Sequence, residues 1–134
     1  MADTKSIRVV GYAMEDEEFA LQVSAFRNEG VSMIYTEKED SLSQRPELAR
    51  CLASLKEGDT LLVYAIDRIA RSVHEFIGVA LQVSGSGASI RSLTQPIDTS
   101  GPSGEFFVEV LRQVTVLDSS LNTLRVQEAA SVRS

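Results

Sequence analysis

The sequence predicts an α/β domain: a Rossmann-like, mostly parallel sheet of at least four strands flanked by helices, with a long helix at the C-terminal end. Three observations carry this prediction. Short β-branched runs alternate with stretches of helical periodicity between residues 6 and 93. The run Thr60–Ile66 (TLLVYAI) is apolar almost throughout, as in a central strand covered on both faces. Glycines stand where the helical stretches should stop, at Gly30, Gly58, Gly85 and Gly87.

Taken in order, Ser6–Tyr12 (SIRVVGY) reads as the first strand. Glu17–Glu29 reads as a helix with Phe19, Val23 and Phe26 on its inner face, and Gly30 supplies a left-handed cap. Val31–Glu37 is the second strand, and the polar Lys38–Gln44 a turn. Pro46 suits the first turn of the next helix, which buries Leu48, Leu52 and Leu55 and closes at Gly58. Thr60–Ile66 is the third strand. Ser72-Val73-His74-Glu75 is a capping box that opens a helix burying Phe76, Ile77, Ala80 and Leu81. Ala88–Leu93 is the fourth strand, and Thr94–Gly104, with Pro96 and Pro102, is a loop. The last helix runs from Glu105 to about Ala130. Phe107, Val110, Val114, Leu117, Leu121 and Leu124 fall on it at alternating spacings of three and four, a heptad seam suited to a partner helix. The expected organisation is a catalytic-type α/β body at 1–102, with the helix and tail at 103–134.

The chain has 134 residues, enough for one self-sufficient core. No apolar run reaches the length of a membrane helix, and the N-terminal stretch is not a secretory signal, so the expectation is a cytoplasmic protein. Cys51 is the single cysteine, which excludes an internal disulfide and any multi-cysteine metal site, and no metal or cofactor is expected. The net charge is −6, against a domain that grips nucleic acid by bulk charge alone.

In a parallel sheet, sites gather at the carboxyl ends of the strands. Asp67 and Arg68 follow the most buried strand, while Tyr12–Asp16 and Glu37 end two others. Arg68 and Arg71 are one helical turn apart, so both forks can face one anion, and Arg45 can add a third cation. Arginines without a metal-ligand set suit phosphoryl-transfer chemistry that stabilises charge directly. Spacing alone favours the plainer alternative, surface salt bridges. His74 is expected to face solvent, Cys51 to fill the core, and the acidic run Glu15–Glu18 to be a solvated helix start. Ser41 and Ser43 lie in the polar turn.

The segment IDRIARS (Ile66–Ser72) resembles the LDRLGRS signature of the resolvase/invertase family of serine recombinases. EKEDSLSQRPEL, LKEGDTLLVY and IRSLTQPIDTSGPSGEFF are similar to three further family segments, in the family's order. The resemblance implies that Arg45, Asp67, Arg68 and Arg71 match active-site residues, with Tyr12, Gln22 and Glu37 beside them. It implies a serine after the first strand that attacks a DNA phosphodiester, a long helix that dimerises and lies along the minor groove, and tetramers that exchange strands. A helix-turn-helix DNA-binding domain follows in the family at the position of Ser134.

The departures matter as much. Where the family reads YARVS, this chain reads Tyr12-Ala13-Met14-Glu15-Asp16, so Met14 replaces the motif arginine and Asp16 the nucleophile. No Ser or Thr occurs between Arg8 and Val23. The long helix sets Arg112, Arg125 and Arg133 against Glu105, Glu109, Asp118 and Glu128, where family helices are richer in arginine. The expected function is therefore a recombinase-like domain unable to cleave DNA, a dimerising DNA-associated or regulatory module. It would form a homodimer or tetramer through the C-terminal helix and bind DNA weakly without a helix-turn-helix. The alternatives are an active recombinase with a displaced nucleophile, and a protein-interaction module that does not touch DNA.

Overall fold

The structure, a computed structural model, describes residues 8–39 and 44–133, and only the backbone of 122, 123 and 125–133. Ser6, Ile7, Ser41 and Ser43 lie outside the described residues. The strands are β1 (Val9–Glu15), β2 (Met33–Lys38), β3 (Thr60–Val63) and β4 (Ser89–Ser92). The helices are α1 (Phe19–Asn28), α2 (Pro46–Ser54), α3 (Val73–Gly85) and α4 (Gly101–Arg133), with a 3-10 turn at Ile66–Arg68. All strand pairs are parallel, in the order β2-β1-β3-β4. This is the flanked parallel sheet with a long terminal helix that the sequence predicts.

Alternation along the strands divides the core into two layers. Val10, Tyr12 and Met14 of β1, with Leu61, Val63 and Ile90, pack against Leu48, Cys51 and Leu52 of α2 and Ala80 and Val83 of α3. Ala13 and Leu62 face the other way, onto Phe26 of α1. Gly11 makes that approach possible, since a Cβ there would lie 2.7 Å from the Phe26 ring. Cys51 is fully buried, and burial pushes its thiol up to about 12, so it is an inert core residue.

Several element ends differ from the sequence expectation. β1 continues past Tyr12 to Glu15, because its C-terminal half pairs with β2 as far as Glu15↔Lys38. α1 starts at Phe19, two residues late, and turns Gln22 into the core where Val23 was expected; Val23 is half-buried. β3 stops at Val63 and the chain curls into the 3-10 turn, so Ile66 is not strand. α3 buries Val83 in place of Leu81, which is half-buried, as is Phe76. α4 begins at Gly101, four residues before Glu105. The left-handed Gly101 turns the chain, and Gly104 lets the first helical turn lie directly against the Thr99 backbone.

Candidate nucleic-acid interface

β1 and β3 are neighbours, and the crossover after β1 runs out to β2 while that after β3 runs out the other way to β4, so their carboxyl ends open on one crevice. Asp16 follows β1, and Arg68 closes the 3-10 turn that follows β3. Arg68 Nη1 lies 3.0 Å from Asp16 Oδ2. Its Nη2 is in close contact with Glu18 Oε1. Both nitrogens of the fork thus meet carboxylates from the turn between β1 and α1. The expectation of a solvated acidic run is corrected for Asp16 and Glu18; Glu15 and Glu17 are exposed.

Gln22 fixes the other side of Asp16. Its amide is fully buried, accepts from the Met14 N–H at 2.9 Å, and donates to Met14 O at 3.0 Å and to Asp16 Oδ1 at 3.1 Å. The Glu18 N–H also donates to Asp16 Oδ1, at 2.8 Å. A polar residue on the inner face of α1 is therefore stable because every amide atom has a partner.

A second buried cluster sits at the start of α2. Glu37 is fully buried at the end of β2. Its Oε1 accepts from the Tyr12 hydroxyl at 2.9 Å and the Leu48 N–H at 3.1 Å, and its Oε2 from the Glu47 N–H at 3.3 Å. Glu37 thus takes the place of a capping side chain at a helix whose N-cap, Arg45, makes no side-chain cap bond. Burial and then the bond to Glu37 push the Tyr12 phenol well above its ordinary range, so it stays a neutral donor. Arg45 holds a left-handed backbone, with φ 47°. Its Nη1 donates to the Arg68 carbonyl at 3.2 Å, which joins the two clusters.

Arg71 and Asp67 stand apart. The 3-10 turn ends at Arg68, and Arg71 precedes the N-cap Ser72, so the expected shared helical turn is absent. Arg71 is half exposed and lies 3.8 Å from Glu75. The Glu75 Oε1 accepts from the Arg71 N–H at 2.6 Å, while the Glu75 N–H donates to Ser72 Oγ at 3.1 Å. The capping box therefore reaches one residue further back than its usual form. Arg45 and Arg71 line one groove with Gln44 and Gln82. Asp67 is exposed and takes part in none of these bonds.

The long helix carries its apolar seam into solvent. Val108 is buried and Leu111 packs on the core, fixing the first turns to the body. Phe107 is half-buried beside Pro96 and Ile97. Val110, Val114, Leu117, Leu121 and Leu124 are 40–57% exposed. His74 is exposed, as expected, and its Nε2 lies 3.4 Å from Asp118 of α4. No helix among the described residues is long and apolar enough to cross a membrane.

Sequence reasoning missed Glu18. Its only signal was an acidic residue just past a strand end, which by itself reads as solvated surface.

Comparison with known proteins agrees with the geometry. The family described as "Resolvase, N terminal domain" matches residues 6–133. A probable DNA-invertase of Sinorhizobium fredii is 38% identical over 133 residues, which cover 94% of this chain and 44% of that protein. The serine recombinase Gin of Escherichia phage Mu is 34% identical over 117 residues, covering 84% of this chain and 61% of that protein. The chain thus spans about half the length of these relatives. The crystal structure of the N-terminal catalytic domain of TP901-1 integrase superposes with a TM-score of 0.66 at 25% identity, covering 85% of this chain and 98% of that one. The strand order, the crevice and these likenesses agree: the chain belongs to the resolvase N-terminal domain family, that of the catalytic domains of resolvase-type serine recombinases.

Proposed function

We propose that this domain keeps the recombinase architecture without cutting DNA, and that it acts as a self-associating module in a DNA-recombination setting. One observation carries the reading: at the carboxyl end of β1, Asp16 forms an ion pair with Arg68. A hydroxyl there would attack a phosphodiester, form a phosphoserine ester and release the 3′ hydroxyl as leaving group. Attack by Asp16 would instead require a carboxylate bound to arginine to approach a phosphodiester anion and form a mixed anhydride. Like-charge repulsion opposes that approach. Arg68, Arg45 and Arg71, the residues that would hold the phosphate, are engaged with Asp16 and Glu18, with the Arg68 carbonyl, and with Glu75 respectively.

Self-association is supported by the exposed seam on α4. Heptad-spaced apolar residues that leave the body without cover bury themselves most readily on an identical helix. The association with DNA is carried over from relatives named as invertases and recombinases. It would depend on segments of the protein that supply DNA affinity, since the net charge of −6 supplies none.

The test is a supercoiled plasmid carrying candidate crossover sites, incubated with the chain fused to a DNA-binding domain. The plasmid should remain supercoiled. Relaxation or inversion that disappears in Arg68→Ala would overturn the reading and favour an active recombinase with a nucleophile elsewhere.

A further inference from the structure

The two carboxylates on Arg68 are held very differently. Asp16 is anchored: its Oδ1 accepts from the Glu18 N–H and from Gln22, and its side chain is 14% exposed. Glu18 is tethered by one side-chain contact among the described residues, that to Arg68, and is 48% exposed. It stands at the N-cap of α1 but makes no capping bond, so its side chain has no part in starting the helix. Behind this pair, Arg68 Nε and Arg45 Nε are buried and have no acceptor among the described residues. Arg45 is 9% exposed, and its guanidinium reaches the Arg68 carbonyl, so the two arginines are neighbours. Buried donors without acceptors are unfavourable, and on cationic guanidinium groups an anion is the acceptor that satisfies them most strongly.

We propose that Glu18 is a displaceable gate on an oxyanion site. Asp16 and Glu18 together present oxygens to the two ends of the Arg68 fork, as two oxygens of a phosphate would. Asp16 is the fixed half of this internal anion and Glu18 the movable half. When Glu18 swings out, an oxyanion of the phosphate class takes its place on Nη2, and the arginine N–H groups that the carboxylates leave unused become available to it. The resting chain is then closed to phosphate by its own side chain rather than by loss of the cations. This inference rests on the reading of Arg68 as an anion holder.

The experiment follows the Arg68 Nε–Hε resonance in the intact chain labelled at arginine, for the wild type, Glu18→Ala and Asp16→Asn. Each is titrated with inorganic phosphate at constant ionic strength, and separately with a short DNA duplex. Glu18→Ala should show a saturable shift with apparent affinity about tenfold or more above the wild type, the effect of one interaction of ordinary charge-assisted strength. Asp16→Asn should gain less, because Gln22 still tethers the side chain. Saturation by free phosphate or by the duplex alone identifies which source of the anion fits. If Glu18→Ala saturates with neither, or the wild type titrates as tightly as the variant, the gate is wrong. That failure leaves the plasmid result unaffected. Plasmid cutting by the wild type would instead sink the functional reading while the Arg68 titration stays interpretable.

Discussion

Arg68 Nη1 lies 3.0 Å from Asp16 Oδ2, across the crevice between the ends of β1 and β3. The two residues are far apart in sequence and meet because the parallel order places β3 beside β1. The pair puts a carboxylate where the family resemblance puts a nucleophilic hydroxyl. It also gives that carboxylate its own cation.

Gln22 should be the residue whose loss most disturbs this corner. Gln22→Leu keeps the approximate volume but strips partners from the Met14 N–H, the Met14 carbonyl and Asp16. The Met14 carbonyl keeps the Asp16 N–H, but leaving the buried Met14 N–H unmatched costs about 1–3 kcal/mol. Urea unfolding should report a lower midpoint with an unchanged slope. A loss below about 0.5 kcal/mol would mean that the amide pairing is incidental.

Much of the fold was legible because it rests on local pattern. Pro46, Gly30 and the Ser72–Glu75 box each marked an end that chain-local physics enforces, whereas α2 stops at Ser54, with Leu55 already extended, and Gly58 belongs to the turn before β3. Strand and helix limits that depend on distant partners were not legible: β1 reaches Glu15 only because β2 pairs with it, and Ile66–Arg68 leaves strand geometry to place Arg68. The site was half legible for the same reason. Residue types identified Arg45 and Arg68, but Gln22 was placed beside the site by the family resemblance alone, because its backbone partners do not appear in a pattern. Glu18 could not be assigned, since its partner lies 50 residues away. Arg71 was misplaced by assuming a regular helix through a 3-10 turn.

Gly104→Ala should be severely destabilising. A Cβ there would fall 2.0 Å from the Thr99 carbonyl carbon, and backbone cannot move aside as a side-chain tip can. Displacing the first turn of α4 also disturbs the buried Val108 and should cost about 3 kcal/mol or more, the upper range of overpacking. Thermal unfolding compared with Gly78→Ala, where a Cβ meets open space, gives the control. Equal melting temperatures would contradict the close approach.

Asp59 should make stability depend on acid. Burial pushes its carboxyl up, but bonds from Arg8 and the Lys56 N–H outweigh this and hold it below its ordinary range. The folded-state pKa is thus lower than the unfolded one, so the stabilisation is complete above about pH 4 and is lost as the pH falls through the folded value. Asp59→Asn should destabilise by about 1–2 kcal/mol at neutral pH, discounted because Arg8 is a third exposed. The difference between the proteins should close as the pH falls from about 4 through the folded value. A constant difference across that range would contradict the pairing.

Leu117 should govern self-association. It is 57% exposed in the middle of the seam, and an aspartate there would be buried against a partner helix. Analytical ultracentrifugation should find the wild type self-associating and Leu117→Asp monomeric at the same concentration, with unchanged circular dichroism. A monomeric wild type at high micromolar concentration would leave the seam without a role.

Whether this chain forms a covalent bond to DNA separates a non-cleaving domain from an active recombinase. The most direct measurement is mass spectrometry of the wild-type chain, fused to a DNA-binding domain and quenched with denaturant after incubation with its target duplex. The predicted result is unmodified protein and intact duplex. A protein peptide carrying a covalently attached nucleotide, at Asp16 or any other residue, would contradict it.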